Sequence, residues 1–131
     1  KALMIDPFLE EPVPTSTNGM FQQNGPKVFQ AILLSVPDLN RRVIEKSGLG
    51  PSDIKLVIPH QTSGRMIDRL IKKMPKYKVF TDIQDGNFSS ASIPKALMRA
   101  IREGVVQKGN KILLSGFGAG LYASSAVVQL A

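Results

Sequence analysis

The sequence predicts an α/β domain of layered helices and sheet from three observations. Apolar residues recur at helical spacing after Pro26, short β-branched and apolar runs stand at residues 54–58 and 111–114, and the glycine cluster 116–120 precedes a last apolar segment. The order helix, strand, helix, strand, helix, strand, strand follows from taking each segment in turn.

Residues 1–25 are expected to be a connector from a preceding half, and residues 26–131 the domain itself. Pro7, Pro12 and Pro14, the Glu10-Glu11 pair and Thr15-Ser16-Thr17-Asn18-Gly19 break helices and strands alike, so residues 6–25 read as a surface loop. Beyond Pro26, Val28, Ile32, Val36, Leu39 and Val43 fall at spacings of four, four, three and four, which puts them on one helix face. Pro37 removes one helical hydrogen bond and predicts a kink or a split; Gly48 and Gly50-Pro51 end the helix.

Residues 54–58 predict a buried strand that delivers His60 at its C-terminal end. Met66, Ile67, Leu70, Ile71 and Met74 form an apolar helical face, with Arg65, Arg69, Lys72 and Lys76 on the flank. Residues 77–81 predict a second strand, closed by the Asp85-Gly86 turn. Ser92 before Ile93-Pro94 has the form of a helix start, and Gly104 of a terminator. Residues 111–114 and 123–130 predict two strands joined by the glycines into a hairpin.

At 131 residues and 43% hydrophobic, the chain can bury one core. A formal charge of +7 favours acidic partners. Nucleic acid ranks low, because the six phenylalanines and two tyrosines do not interleave with the basic runs as base-stacking platforms would. Without cysteine there is no disulfide framework or zinc–thiolate site, and one histidine argues against a metal centre, so no metal is expected. The opening Lys1-Ala2-Leu3-Met4-Ile5-Asp6-Pro7 has neither an initiator methionine nor a signal-peptide core, and no apolar run approaches the ~20 residues of a membrane span. A soluble cytoplasmic protein is expected, with Lys1 as a cut into a longer chain.

Three motifs carry the chemistry. His60 closes an apolar run in Val57-Ile58-Pro59-His60-Gln61, Asn87 stands in Asp85-Gly86-Asn87-Phe88-Ser89-Ser90-Ala91-Ser92-Ile93-Pro94, and Gly116-Phe117-Gly118-Ala119-Gly120 follows. Taken singly, each has a plain alternative: a structural histidine, ordinary Asp-Gly-Asn turn chemistry, a tight glycine turn. Together, two side-chain donors at neighbouring strand ends can converge on one developing oxyanion, and a small-residue backbone can offer an amide to another. The glycines fit neither a phosphate-cradling loop nor a dinucleotide fingerprint.

These segments, in this order, resemble the C-terminal half of β-ketoacyl-acyl carrier protein synthase III, with the likeness running from about Asn24 to the end. The resemblance implies a thiolase-like fold, of which this chain is one β-α-β-α-β-β half with a mixed sheet and layered helices. It implies a Cys-His-Asn triad whose cysteine, absent here, lies in the missing N-terminal half and takes the acyl group from acyl coenzyme A. His60 and Asn87 would then hold the thioester oxygen of malonyl-acyl carrier protein during decarboxylation, and the backbone of Ala119 would serve the second oxyanion. Gln61, Ser63, Arg65, Phe88 and Gly118 would contact substrate or carrier protein. Partners implied are acyl carrier protein, a coenzyme A thioester and a second copy in a homodimer; no cofactor beyond the substrates, no nucleic acid and no membrane is expected.

The match departs from the family where Ser63 replaces an asparagine that steadies the pantetheine arm, and where Phe88 adds bulk beside Asn87. A non-catalytic thiolase-fold partner subunit and a chalcone-synthase-like polyketide synthase half are the alternatives. A bare half is expected to expose the apolar helix face of residues 28–43 and the strand surface of residues 123–128.

Overall fold

The structure, a computed structural model, describes residues 2–9, 16–17, 20–21 and 24–131. In chain order the elements are strands β1 (Ala2–Leu9), β2 (Ser16–Thr17) and β3 (Met20–Phe21), helix α1 (Gly25–Lys46), β4 (Ile54–Pro59), α2 (Gly64–Lys73), α3 (Ser92–Arg102), β5 (Lys111–Gly118) and β6 (Tyr122–Gln129). The main sheet has the order β1-β6-β5-β4, and β2 pairs with β3 separately. β5 runs parallel to β4 and antiparallel to β6, which is antiparallel to β1, so the sheet is mixed.

Alternation along the strands divides the core between two faces. Val57 of β4 and Leu113 of β5 join Ile32, Val36, Leu39 and Val43 of α1 and Leu70 of α2 on one face. Leu56, Ile58 and Ile112 point the other way, onto Ala96 and Ala100 of α3. Among the described residues no helix is long and apolar enough to cross a membrane.

Four expectations change here. Residues 2–9 form β1 and not connector, despite Pro7. A proline costs a ladder hydrogen bond inside a sheet but is tolerated at its edge, and among the described residues β1 is the outermost strand and pairs with β6. The rest of the expected connector contributes β2 and β3; residues 10–15, 18–19 and 22–23 lie outside the described residues.

Pro37 does not split α1, which is one helix of 22 residues. An interior proline costs about 3 kcal/mol. Burying an aliphatic side chain returns roughly 1.5–3 kcal/mol, and Ile32, Val36, Leu39 and Val43 are all buried. The packing therefore outweighs the lost bond. Asn24 fixes the start, its Oδ1 accepting the Lys27 N–H at 3.1 Å, and Gly48 with φ +69° ends the run.

Residues 77–81 are not a regular strand. They make one parallel bridge, Val57 with Val79, in which the Val57 N–H donates to Lys78 O and the Phe80 N–H donates to Val57 O, both at 2.8 Å. The ladder stops because a side chain replaces it: Gln61 donates to Phe80 O at 3.2 Å and accepts the Asp82 N–H at 2.8 Å.

The apolar face of α1 is not bare either. It packs on the sheet beside Ala123 and Val127 of β6, and among the residues whose burial is described the exposed large apolar ones are Leu34, Met98, Ile101, Phe88, Tyr122 and Ile71.

Candidate active site

A cleft of about 450 Å³ opens between the N-terminal part of α1, the C-terminal end of β4 and the β5–β6 turn. His60, Ser63, Asn87, Gly118 and Ala119 line it, with Val28, Phe29, Ile32, Met66, Phe117 and Leu121 as apolar wall. The chain thus brings five predicted site residues to one concavity.

His60 leaves β4 after Pro59, its N–H donating to Ser115 O of β5 at 2.8 Å. The half-buried ring lies edge-on to Phe117, centroids 5.4 Å apart, and Nδ1 is 2.5 Å from Ser92 Oγ. Burial pushes the imidazole pKa below its ordinary value and so favours the neutral ring. A neutral imidazole can donate one hydrogen bond without setting a full cation beside a nucleophilic thiolate.

Asn87 is exposed on the loop before α3, and its Oδ1 accepts the Ser89 N–H at 2.8 Å. Ser89 has φ +50°, a left-handed conformation that non-glycine residues rarely adopt. With the carboxamide oxygen occupied by a backbone donor, its NH₂ group is the end left to face a ligand.

Gln61 is corrected from substrate contact to structural brace. It is buried, and its amide donates to Pro59 O at 2.7 Å and to Phe80 O while its oxygen accepts from Asp82 N. All of its bonding is internal, and it ties the His60 strand end to the loop that carries Asn87. Asp82 continues the brace: its buried carboxylate meets Lys95 at 3.0 Å and Arg99 at 2.6 Å on α3. Burial alone would raise the Asp82 pKa, but the hydrogen bonds from Lys95 and Arg99 outweigh it and hold the carboxyl below its usual range.

The other predicted residues are placed as follows. Ser63 lines the cleft and also caps α2, accepting the Met66 N–H at 3.3 Å. Arg65 lies outside the lining, its guanidinium 5.4 Å from the centre of the Phe29 ring that forms part of the wall. Phe88 is not part of the wall of this cleft; it turns out under Lys95, whose ammonium is 4.9 Å from the ring centre. Ala119 and Gly118 sit where β5 turns into β6.

Sequence reasoning missed Ser92, Asp82 and Thr62. Ser92 reads as a cap by position, yet α3 has Ala91 at its cap with no side-chain hydrogen bond, and the Ser92 hydroxyl is spent on His60 and the Gln61 N–H. Thr62 lines the cleft with Oγ1 buried and unpartnered among the described residues.

The chain is 43% identical over 116 residues to the beta-ketoacyl-[acyl-carrier-protein] synthase III of Aquifex aeolicus, covering 86% of this chain and 38% of that protein. It superposes on the crystal structure of 3-oxoacyl-[acyl-carrier-protein] synthase III from the same organism with TM-score 0.86 and 37% identity, over 98% of this chain and 44% of that one. For the synthase III structure from Thermus thermophilus the TM-score is 0.88 at 30% identity, over 99% and 46% of the two chains. The chain spans under half the length of these relatives. These neighbours have the thiolase fold, and the β–α layering with a mixed sheet follows it. Residues 44–130 match the family described as 3-oxoacyl-[acyl-carrier-protein (ACP)] synthase III C terminal, and the chain belongs to that family.

Proposed function

We propose that this chain supplies the His-Asn part of a decarboxylating acyltransferase site, in a longer protein that condenses acyl coenzyme A with malonyl-acyl carrier protein to 3-oxoacyl-acyl carrier protein in fatty-acid biosynthesis. The observation that carries the reading is that His60 and Asn87 line one cleft. One polar end of each side chain is engaged by protein, His60 Nδ1 by the Ser92 hydroxyl and Asn87 Oδ1 by the Ser89 N–H, which leaves Nε2 and Nδ2 for a ligand oxygen.

In the proposed step the malonyl thioester oxygen accepts from both groups. The bond to the carboxylate breaks, carbon dioxide leaves, and the electron pair enters an enolate whose oxygen carries the developing charge. Each such donor contributes roughly 3 kcal/mol at the transition state. The enolate carbon then attacks an acyl-cysteine thioester, forming the new carbon–carbon bond; the tetrahedral oxygen is stabilised by the backbone at Ala119, and the cysteine departs as thiolate. The cysteine must come from outside these 131 residues, which contain none.

The cationic flank of α2, with Arg65, Arg69 and Lys72, followed by Lys76 in the turn beyond the end of the helix, is the proposed docking surface for the acidic carrier protein. The reaction needs no cofactor, and the full-length protein is proposed to be a cytoplasmic homodimer. The test is carbon dioxide release from a malonyl thioester by the full-length protein. His60→Ala and Asn87→Ala should each slow it by about 100-fold or more; unchanged rates in both would remove these residues from catalysis.

A further inference from the structure

We propose that Ser92 is a positioning residue whose hydroxyl holds His60 in the tautomer with its proton on Nε2, so that the histidine presents a donor to the cleft. Its consequence for catalysis rests on the condensing reading above; the tautomer itself does not.

The assignment follows from hydrogen-bond bookkeeping at one atom. Ser92 is 2% exposed, so its hydroxyl has no access to bulk water. Its oxygen accepts the Gln61 N–H at 3.3 Å and stands 2.5 Å from His60 Nδ1. A hydroxyl carries one proton, and among the described residues Nδ1 is the acceptor within reach of it. Were the proton on Nδ1 instead, that N–H would donate to Oγ and the hydroxyl proton would have no acceptor in a buried place, which native structures avoid. Ser92 therefore donates, Nδ1 accepts, and the neutral ring keeps its proton on Nε2.

The backbone makes this coupling rigid. Ser92 is the first residue of α3, and the Gln61 N–H that reaches its hydroxyl belongs to the residue after His60. One serine thus reads two consecutive residues of the β4 exit, fixing the ring plane as well as its proton. The reversed tautomer would turn a lone pair on Nε2 toward any oxyanion and repel it.

The test is ¹⁵N NMR of the full-length protein labelled at histidine, with His60 assigned by the signal lost in His60→Gln. In the wild type at neutral pH, Nε2 should be protonated and Nδ1 unprotonated, as a single form. Ser92→Ala should move the two nitrogen shifts toward each other as both tautomers populate, and Ser92→Thr, which keeps the hydroxyl, should restore them. In parallel, Ser92→Ala should lower kcat for malonyl-thioester decarboxylation roughly 10-fold with little change in KM. A proton on Nδ1 in the wild type overturns the proposal whether or not the variants fold, and so does a Ser92→Ala spectrum identical to the wild type. A shifted tautomer with unchanged decarboxylation upholds the role of Ser92 and contradicts the condensing reading of His60.

Discussion

His60 and Asn87 face the same cleft but are held there in different ways. His60 leaves a strand whose neighbours are set by a parallel ladder that is in register from Leu56 to Pro59, and its own N–H extends that ladder to Ser115 O. Asn87 sits on a loop where regular pairing has already ended, fixed by the side chains of Gln61, Asp82, Lys95 and Arg99 and by the left-handed backbone at Ser89. One donor is placed by main-chain repetition over a buried sheet, the other by a chain of polar side chains. The strand end that carries His60 is robust to single changes in side chains, although the ring itself leans on the Ser92 hydroxyl; the loop that carries Asn87 has single points of failure in its fold.

Gln61 is the most exposed of these to loss of function by substitution, because it joins the two regions. Gln61→Ala removes three hydrogen bonds and leaves buried main-chain groups unpaired, at roughly 1–3 kcal/mol each, so the full-length protein should lose several degrees of thermal midpoint and most of its Asn87-dependent activity. A melting temperature within one degree of the wild type would mean that the loop is held by other contacts.

Asp82→Asn should have a smaller effect, about 1–2 kcal/mol, because it weakens two ion pairs while Lys95 keeps Asp85 and Arg99 keeps Glu103. The pH dependence has a definite sign. The folded pKa lies below the unfolded value of about 3.9, so the stabilisation is fully present above that value and is lost as pH falls through the folded pKa. Acid titration of the wild type should therefore show a loss of stability below about pH 4 that is reduced in Asp82→Asn; parallel curves for the two proteins would contradict the brace.

The smallest effects belong to Ser63, on the strand-end side. Ser63→Ala removes the α2 cap and should cost about 1 kcal/mol, whereas Ser63→Asn keeps an equally good cap and should be close to neutral. Chemical denaturation of the two variants checks the ordering, and equal losses would mean that the cap contributes nothing.

The same division governs what could be read from the sequence. Periodicity located α1, β4, α2 and the β5–β6 hairpin, since apolar spacing reports directly on a buried face; Ile32, Val36, Leu39 and Val43 were all placed inward. The motif order brought His60, Asn87, Gly118 and Ala119 to one cleft. Local rules failed where tertiary contacts decide. Pro7 and Pro37 both sit in regular elements, one at a sheet edge and one in a helix whose packing outweighs the break. Gln61 was misread because a polar residue beside His60 looks the same in sequence whether it points to a ligand or braces from behind, and Ser92, read as a helix start, because a hydroxyl there looks the same whether it caps the helix or bonds a distant ring. Phe88 likewise gave no sign that it would lie under Lys95 and not in the wall.

Asn87 is proposed to work as a donor held by a pinned oxygen, and Asn87→Asp tests this most directly. Aspartate keeps an oxygen for the Ser89 N–H, so the loop retains its anchor, while the ligand-facing NH₂ group becomes a carboxylate oxygen. Carbon dioxide release from a malonyl thioester by the full-length variant should fall by about 100-fold or more with the fold intact. A rate within a few-fold of the wild type would contradict the assignment of Asn87 as an oxyanion donor.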